Sequence, residues 1–156
     1  MRHMNKSEIV VLILERLRED FESRQRVSKQ TRAGGNDAES KAESKYDTLS
    51  IEENYLADGL ARQALAAAEA IPEIEKMPLR DFMEGERIDF GALVELEISG
   101  EVEWFFLAPA GGGTEVQHEG ATITVITPES PLGSQLLGSR AGGQVKVPPG
   151  RILSVI

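Results

Sequence analysis

The chain has 156 residues, 40% of them hydrophobic, 5% aromatic and 28% charged, which leaves room for one ordinary domain or two small ones with a mostly aliphatic core. It has no cysteine, which excludes disulfides and thiolate metal sites, and its longest apolar run, Ile9 to Leu14, is far too short to span a bilayer. The formal net charge of −9 repels nucleic-acid phosphates, and no dense Lys/Arg cluster overrides it, so no direct DNA binding is expected. With no small-residue cleavage site in the sequence, a cytoplasmic location is expected.

From Ser7 to about Ile71 there is no proline, and apolar residues recur at helical spacing. Val10, Leu14, Leu17 and Phe21 step by four, three and four, which is one stripe of a helix. Ala33-Gly34-Gly35-Asn36-Asp37 then stops that helix, with paired glycines at its end and an Asn or Asp to cap the next. In the second arm Ile51, Tyr55, Leu56, Leu60, Leu65 and Ala68 form a comparable stripe. Its many alanines raise helix propensity and allow close approach of a partner helix. Two such helices joined by a short turn must lie antiparallel, each arm roughly 40–50 Å long at 1.5 Å per residue. Pro72 and Pro78 bracket the exit from the second arm.

Beyond Pro78 the pattern changes to period two. Val94, Leu96 and Ile98 alternate with Glu95 and Glu97, Ser99-Gly100 offers a two-residue turn, and Val102, Trp104 and Phe106 continue on the return strand. Gly111-Gly112-Gly113 reads as a hairpin loop, since no Gly-Lys-Ser/Thr follows to make a phosphate loop. Ile123-Thr124-Val125 predicts another strand. Ser130-Pro131 reads as the N-cap and first residue of a short helix ending at Gly138. Val145-Lys146-Val147 and Ile152 to Ile156 complete a small antiparallel sheet. His3 and His118 lack a second metal ligand at useful spacing and are expected to face solvent.

Certain residues carry a family resemblance. Ser130-Pro131-Leu132-Gly133-Ser134-Gln135-Leu136-Leu137-Gly138, followed by Gly142-Gly143-Gln144-Val145, resembles the C-terminal signature of the Gre transcript-cleavage family. That signature is Ser-Pro-aliphatic-Gly, then Leu-Leu-Gly, then Gly-Asp-x-Val, and Gly143 stands where an acid is usual. The stretch Ala42 to Thr48, with Tyr55-Leu56-Ala57 beyond it, resembles the start of the second arm in divergent members. The resemblance implies an α+β fold: a long antiparallel helical hairpin of coiled-coil type over residues 6–74, then a small FKBP-like antiparallel β domain with one short helix over residues 79–156. It also implies a partner, RNA polymerase, with the β domain at the mouth of the secondary channel and the hairpin tip at the active centre. Tip carboxylates of such factors help hold a second Mg²⁺, so that the polymerase itself hydrolyses backtracked RNA. The factor needs no cofactor of its own, is not an enzyme in its own right, and is expected to be mostly monomeric.

Transferred to this chain, Asp37 and Glu39 are the expected catalytic acids and Mg²⁺ ligands, hard oxygen donors of the kind that ion takes. Glu43, Ser130, Pro131, Leu132 and Gly133 are the expected partner-binding residues. At helical spacing Glu39, Glu43 and Asp47 share one face, although like charges four apart cost about 0.2–0.5 kcal/mol per pair. Asp37 as N-cap and Glu39 in the first turn also suit a purely structural hairpin. Cleavage-competent members carry Asp-Leu-x-Glu-Asn, whereas here Asp37-Ala38-Glu39-Ser40 brings the second acid one place early. Three readings therefore stand open: a cleavage factor, a non-cleaving secondary-channel regulator, and a hairpin protein that self-associates through its Ala-rich arm.

Overall fold

The structure, a computed structural model, describes the backbone of residues 3–35 and 44–156 and the side chains of residues 3–27 and 58–156. Its elements in chain order are α1 (Lys6–Gly35), α2 (Ser44–Lys76), β1 (Leu93–Ile98), β2 (Glu101–Leu107), β3 (Glu115–His118), β4 (Ala121–Ile126), α3 (Pro131–Leu136), β5 (Gln144–Lys146) and β6 (Pro149–Val155). The fold is α+β, with two long helices preceding the sheet. Two compact units emerge, one of Met1–Leu17 with Ala70–Ile156 and one of Arg18–Glu69, so the division cuts through both long helices.

In the first unit six strands form one sheet in the order β3-β4-β2-β1-β6-β5. The expected antiparallel sheet is in fact mixed. β2 and β4 pair in parallel, Trp104 opposite Ile123 and Leu107 opposite Ile126, while the other pairings are antiparallel. The reason lies in β3, a strand that the sequence pattern did not reveal. β3 folds back on β4 as a hairpin at the sheet edge, and β4 is thereby laid beside β2 in the same direction. Ser99-Gly100 turns the chain as expected, both residues with positive φ (53° and 79°), the twist that a two-residue hairpin requires.

Both faces of the sheet are covered. Trp104 and Phe106 point to one face, where they pack with Ile9, Ile13, Leu17, Ala70 and Ile74 from the base of the two long helices. Phe105 and Leu107 point to the other, where Phe82, Ile88 and Leu136 close a second cluster. The start of α1 and the end of α2 both contribute to the first of these clusters. β6 keeps both Ile152 and Val155 on the second face despite their odd spacing, because the register against β1 shifts at Glu95/Leu96 and leaves Leu153 without an opposite residue.

The helices differ from expectation in detail. In α1 the fully buried stripe is Ile9, Ile13 and Leu17, one residue before the expected Val10 and Leu14, which lie half-buried at its border. Among the described side chains of α2 the buried ones are Ala64, Ala67, Ala70 and Ile74, while Leu65 is 58% exposed. Small residues occupy the inner stripe and the larger leucine points out. Nor does Pro72 end the helix, which runs to Lys76. Proline removes one hydrogen bond to the preceding turn, but Ala70 and Ile74 on either side are anchored in the sheet core and hold the helix through it.

Gly59 lies within α2 with nothing within 4 Å of where a Cβ would sit. Gly59→Ala is expected to stabilise the helix by about 0.5–1 kcal/mol, since alanine loses less backbone entropy than glycine. A higher urea midpoint without loss of circular-dichroism amplitude is the expected readout.

Candidate functional site

Asp37, Glu39 and Glu43 lie outside the described residues. Among the described residues no group of three or more His, Asp or Glu side chains converges as a metal site. The other expected partner-binding residues, Ser130 to Gly133, lie at the start of α3, and each has a definable position.

Ser130 is the N-cap (φ −81°, ψ 153°). Its Oγ accepts the Gly133 N–H at 3.0 Å and donates to the Thr127 carbonyl at 2.9 Å. Pro131 follows at the first helical position, where no N–H is needed. Gly133 is buried with its Cα facing the Thr127 carbonyl, and Leu132 is half-buried against the second core cluster. Leu136 is fully buried, whereas the adjacent Leu137 is 40% exposed. The Gln135 amide ties α3 to the turn before β6, donating to the Val147 carbonyl and accepting from the Lys146 N–H, each at 2.7 Å. Ser130 and Gly133 are thus engaged in holding α3, while Pro131, Leu137 and Val147 (64% exposed) present the apolar surface around it.

Two buried polar groups escaped the sequence pattern. Lys6, 6% exposed, donates from Nζ to the carbonyls of Arg80, Gly91 (2.9 Å) and Ile156 (3.0 Å). Three acceptors match the three donors of an ammonium. Burial lowers the Lys6 pKa, and the nearby Asp81 and Glu86 carboxylates oppose that shift. Nζ also lies 4.9 Å from the centre of the Phe82 ring, and the Arg80 guanidinium lies 4.2 Å from the same ring. Arg80 in turn pairs with Glu86, and that hydrogen bond holds the Glu86 carboxyl below its usual range.

His118, expected to face solvent, is 8% exposed. Its Nε2 accepts the Asn5 N–H at 3.3 Å and lies 3.7 Å from the Glu8 carboxylate. Asn5 caps α1 through its own side chain, which accepts the Glu8 N–H at 3.2 Å. A lysine or histidine beside polar neighbours in sequence gives no local signal of such burial, since the groups that enclose it are far along the chain.

No family model matches the sequence, and no curated protein matches it. Solved structures do show similarity. One is the GreA factor homolog 1 (Gfh1) protein of Thermus thermophilus, at 19% identity over 96% of this chain and 93% of that one, with a TM-score of 0.35. A structure of the transcription factor Gfh1 is 20% identical over 95% and 91%, TM-score 0.36. Gfh1 of Thermus aquaticus is 20% identical over 92% and 90%, TM-score 0.37.

Proposed function

We propose that this chain is a transcription elongation factor of the Gre type, which binds RNA polymerase at its secondary channel and promotes Mg²⁺-dependent cleavage of backtracked RNA. The observation that supports the reading best is the use made of the Ser130–Gly138 motif. Ser130 caps α3, Gly133 admits the Thr127 carbonyl, Leu136 seals the core, and the Gly138 N–H bonds the Ile88 carbonyl at 2.8 Å. The residues that match the family signature are therefore those that this substructure needs, which is more than a chance match of letters would give.

In this reading Asp37 and Glu39 are presented to the polymerase active centre as oxygen ligands for a shared Mg²⁺. When bound there, that ion supplies activation of the water that attacks the RNA phosphodiester. Glu43, Pro131 and Leu132 contribute to partner contact. A second reading, a non-cleaving regulator that occupies the same channel, is favoured by one observation: the second acid of Asp37-Ala38-Glu39-Ser40 stands one place early.

The test uses stalled, backtracked elongation complexes with Mg²⁺ and the full chain. Short RNA products are expected, and Asp37→Ala/Glu39→Ala should reduce their rate about a hundredfold while leaving polymerase binding intact. Binding that displaces a genuine cleavage factor without any product would select the regulator. No binding to the polymerase would overturn both readings.

A further inference from the structure

Between residues 80–89 and the end of α3 lies an open groove of about 640 Å³, lined by Arg80, Arg87 and Arg140 against only two carboxylates, Glu86 and Asp89. Backbone hydrogen bonds hold its two sides together, from Ile88 N–H to the Ser139 carbonyl (2.7 Å) and from Gly138 N–H to the Ile88 carbonyl (2.8 Å). Glu86 is already engaged at both oxygens, one by Arg80 and the other by the Met83 N–H at 3.0 Å. Asp89 accepts the Phe90 N–H at 2.8 Å. Arg87 and Arg140 are exposed, and their guanidinium groups have no hydrogen bond or ion pair among the described residues.

This excess of cations stands in a chain whose net charge is −9. Two unpaired guanidinium groups in one concavity suit carboxylates, which each accept a planar pair of N–H bonds. No aromatic ring lines the groove, and the nearby Phe82 is already covered by Lys6 and Arg80, so a nucleobase has nothing to stack on. Leu137 on the wall adds an exposed aliphatic contact beside the cations.

We propose that this groove docks an acidic peptide segment of a protein partner, its carboxylates on Arg87 and Arg140 and an aliphatic side chain against Leu137. Identifying that partner with RNA polymerase rests on the reading given under Proposed function; the groove's chemistry does not.

The probe is a fluorescein-labelled, Glu-rich decapeptide with a central Leu, followed by anisotropy on the full chain. Arg87→Ala/Arg140→Ala should raise its Kd at least about tenfold. The charge-matched pair Arg62→Ala/Arg151→Ala, exposed elsewhere, should change it less than about twofold. Unchanged thermal melts would show that both pairs still fold. Equal effects of the two pairs, absence of peptide binding, or binding of ATP in place of the peptide would overturn the proposal. Purified RNA polymerase then separates the two readings. Equal polymerase affinity for the wild-type chain and Arg87→Ala/Arg140→Ala would overturn the identification of the groove's partner with the polymerase and leave the polymerase reading standing. Peptide binding through these arginines with no polymerase binding would do the reverse.

Discussion

Gly133→Ala is expected to lower the unfolding free energy by more than about 3 kcal/mol, although the same change favours an isolated helix by about 1 kcal/mol. The added Cβ would overlap the Thr127 carbonyl oxygen and lie 2.6 Å from its carbon and 2.9 Å from Ser130 Oγ. The Thr127 carbonyl has no freedom to retreat, since it accepts the Ser130 N–H at 3.1 Å and the Ser130 hydroxyl at 2.9 Å. Nor can α3 lift away without withdrawing Leu136, which is fully buried in the second core cluster. Overpacking against backbone is relieved only by moving the helix, and moving the helix opens the core. Urea unfolding followed by circular dichroism measures the effect. A midpoint shift equivalent to less than about 0.5 kcal/mol would show that α3 can slide. Gly59→Ala is the contrast, the same substitution with the opposite expected sign, because space rather than propensity decides at Gly133.

Lys6→Met should cost about 3 kcal/mol and lower the melting temperature by roughly 10 °C. Methionine retains much of the aliphatic stem, so packing against Phe82 is partly preserved. What is lost is the donor set. The Ile156 carbonyl still receives the Leu93 N–H at 3.1 Å, but the buried Gly91 carbonyl loses its Nζ donor. An unsatisfied buried acceptor costs about 1–3 kcal/mol, and the cation–π contact with Phe82 is lost with it. pH should act through the same group. Burial sets the folded-state pKa of Lys6 below the ordinary lysine value, so between those two values the unfolded chain binds the proton more tightly. This linkage contributes no slope at lower pH and makes stability rise with pH within that window. Lys6→Met removes that slope. A variant as stable as the parent would mean that water replaces the ammonium.

Much of the architecture could be read from local signals. The proline-free, alanine-rich arms, the alternation of Val94, Leu96 and Ile98, the Ser99-Gly100 turn and the Ser130-Pro131 cap are each set by neighbours within a few residues. Backbone propensity, capping and side-chain period operate on that scale, so the sequence itself determined the α+β class and the order of the elements other than β3. The expected tip acids Asp37 and Glu39 likewise rest on sequence, being outside the described residues.

Tertiary structure alone decided what depends on distant partners. β3 was missed because it is only four residues long and one of its two inward residues is His118, a polar side chain buried beside Asn5 at the start of α1. The parallel pairing of β2 with β4 followed from that hairpin. Pro72 remained helical because its flanking residues are anchored in the core. Lys6 became a buried donor because three carbonyls contributed by residues 80, 91 and 156 converge on it. The unpaired Arg87 and Arg140 became neighbours across one groove because backbone bonds join Ile88 to Gly138 and Ser139. In each case the controlling energy is the burial or pairing of groups far apart along the chain, which no local pattern encodes.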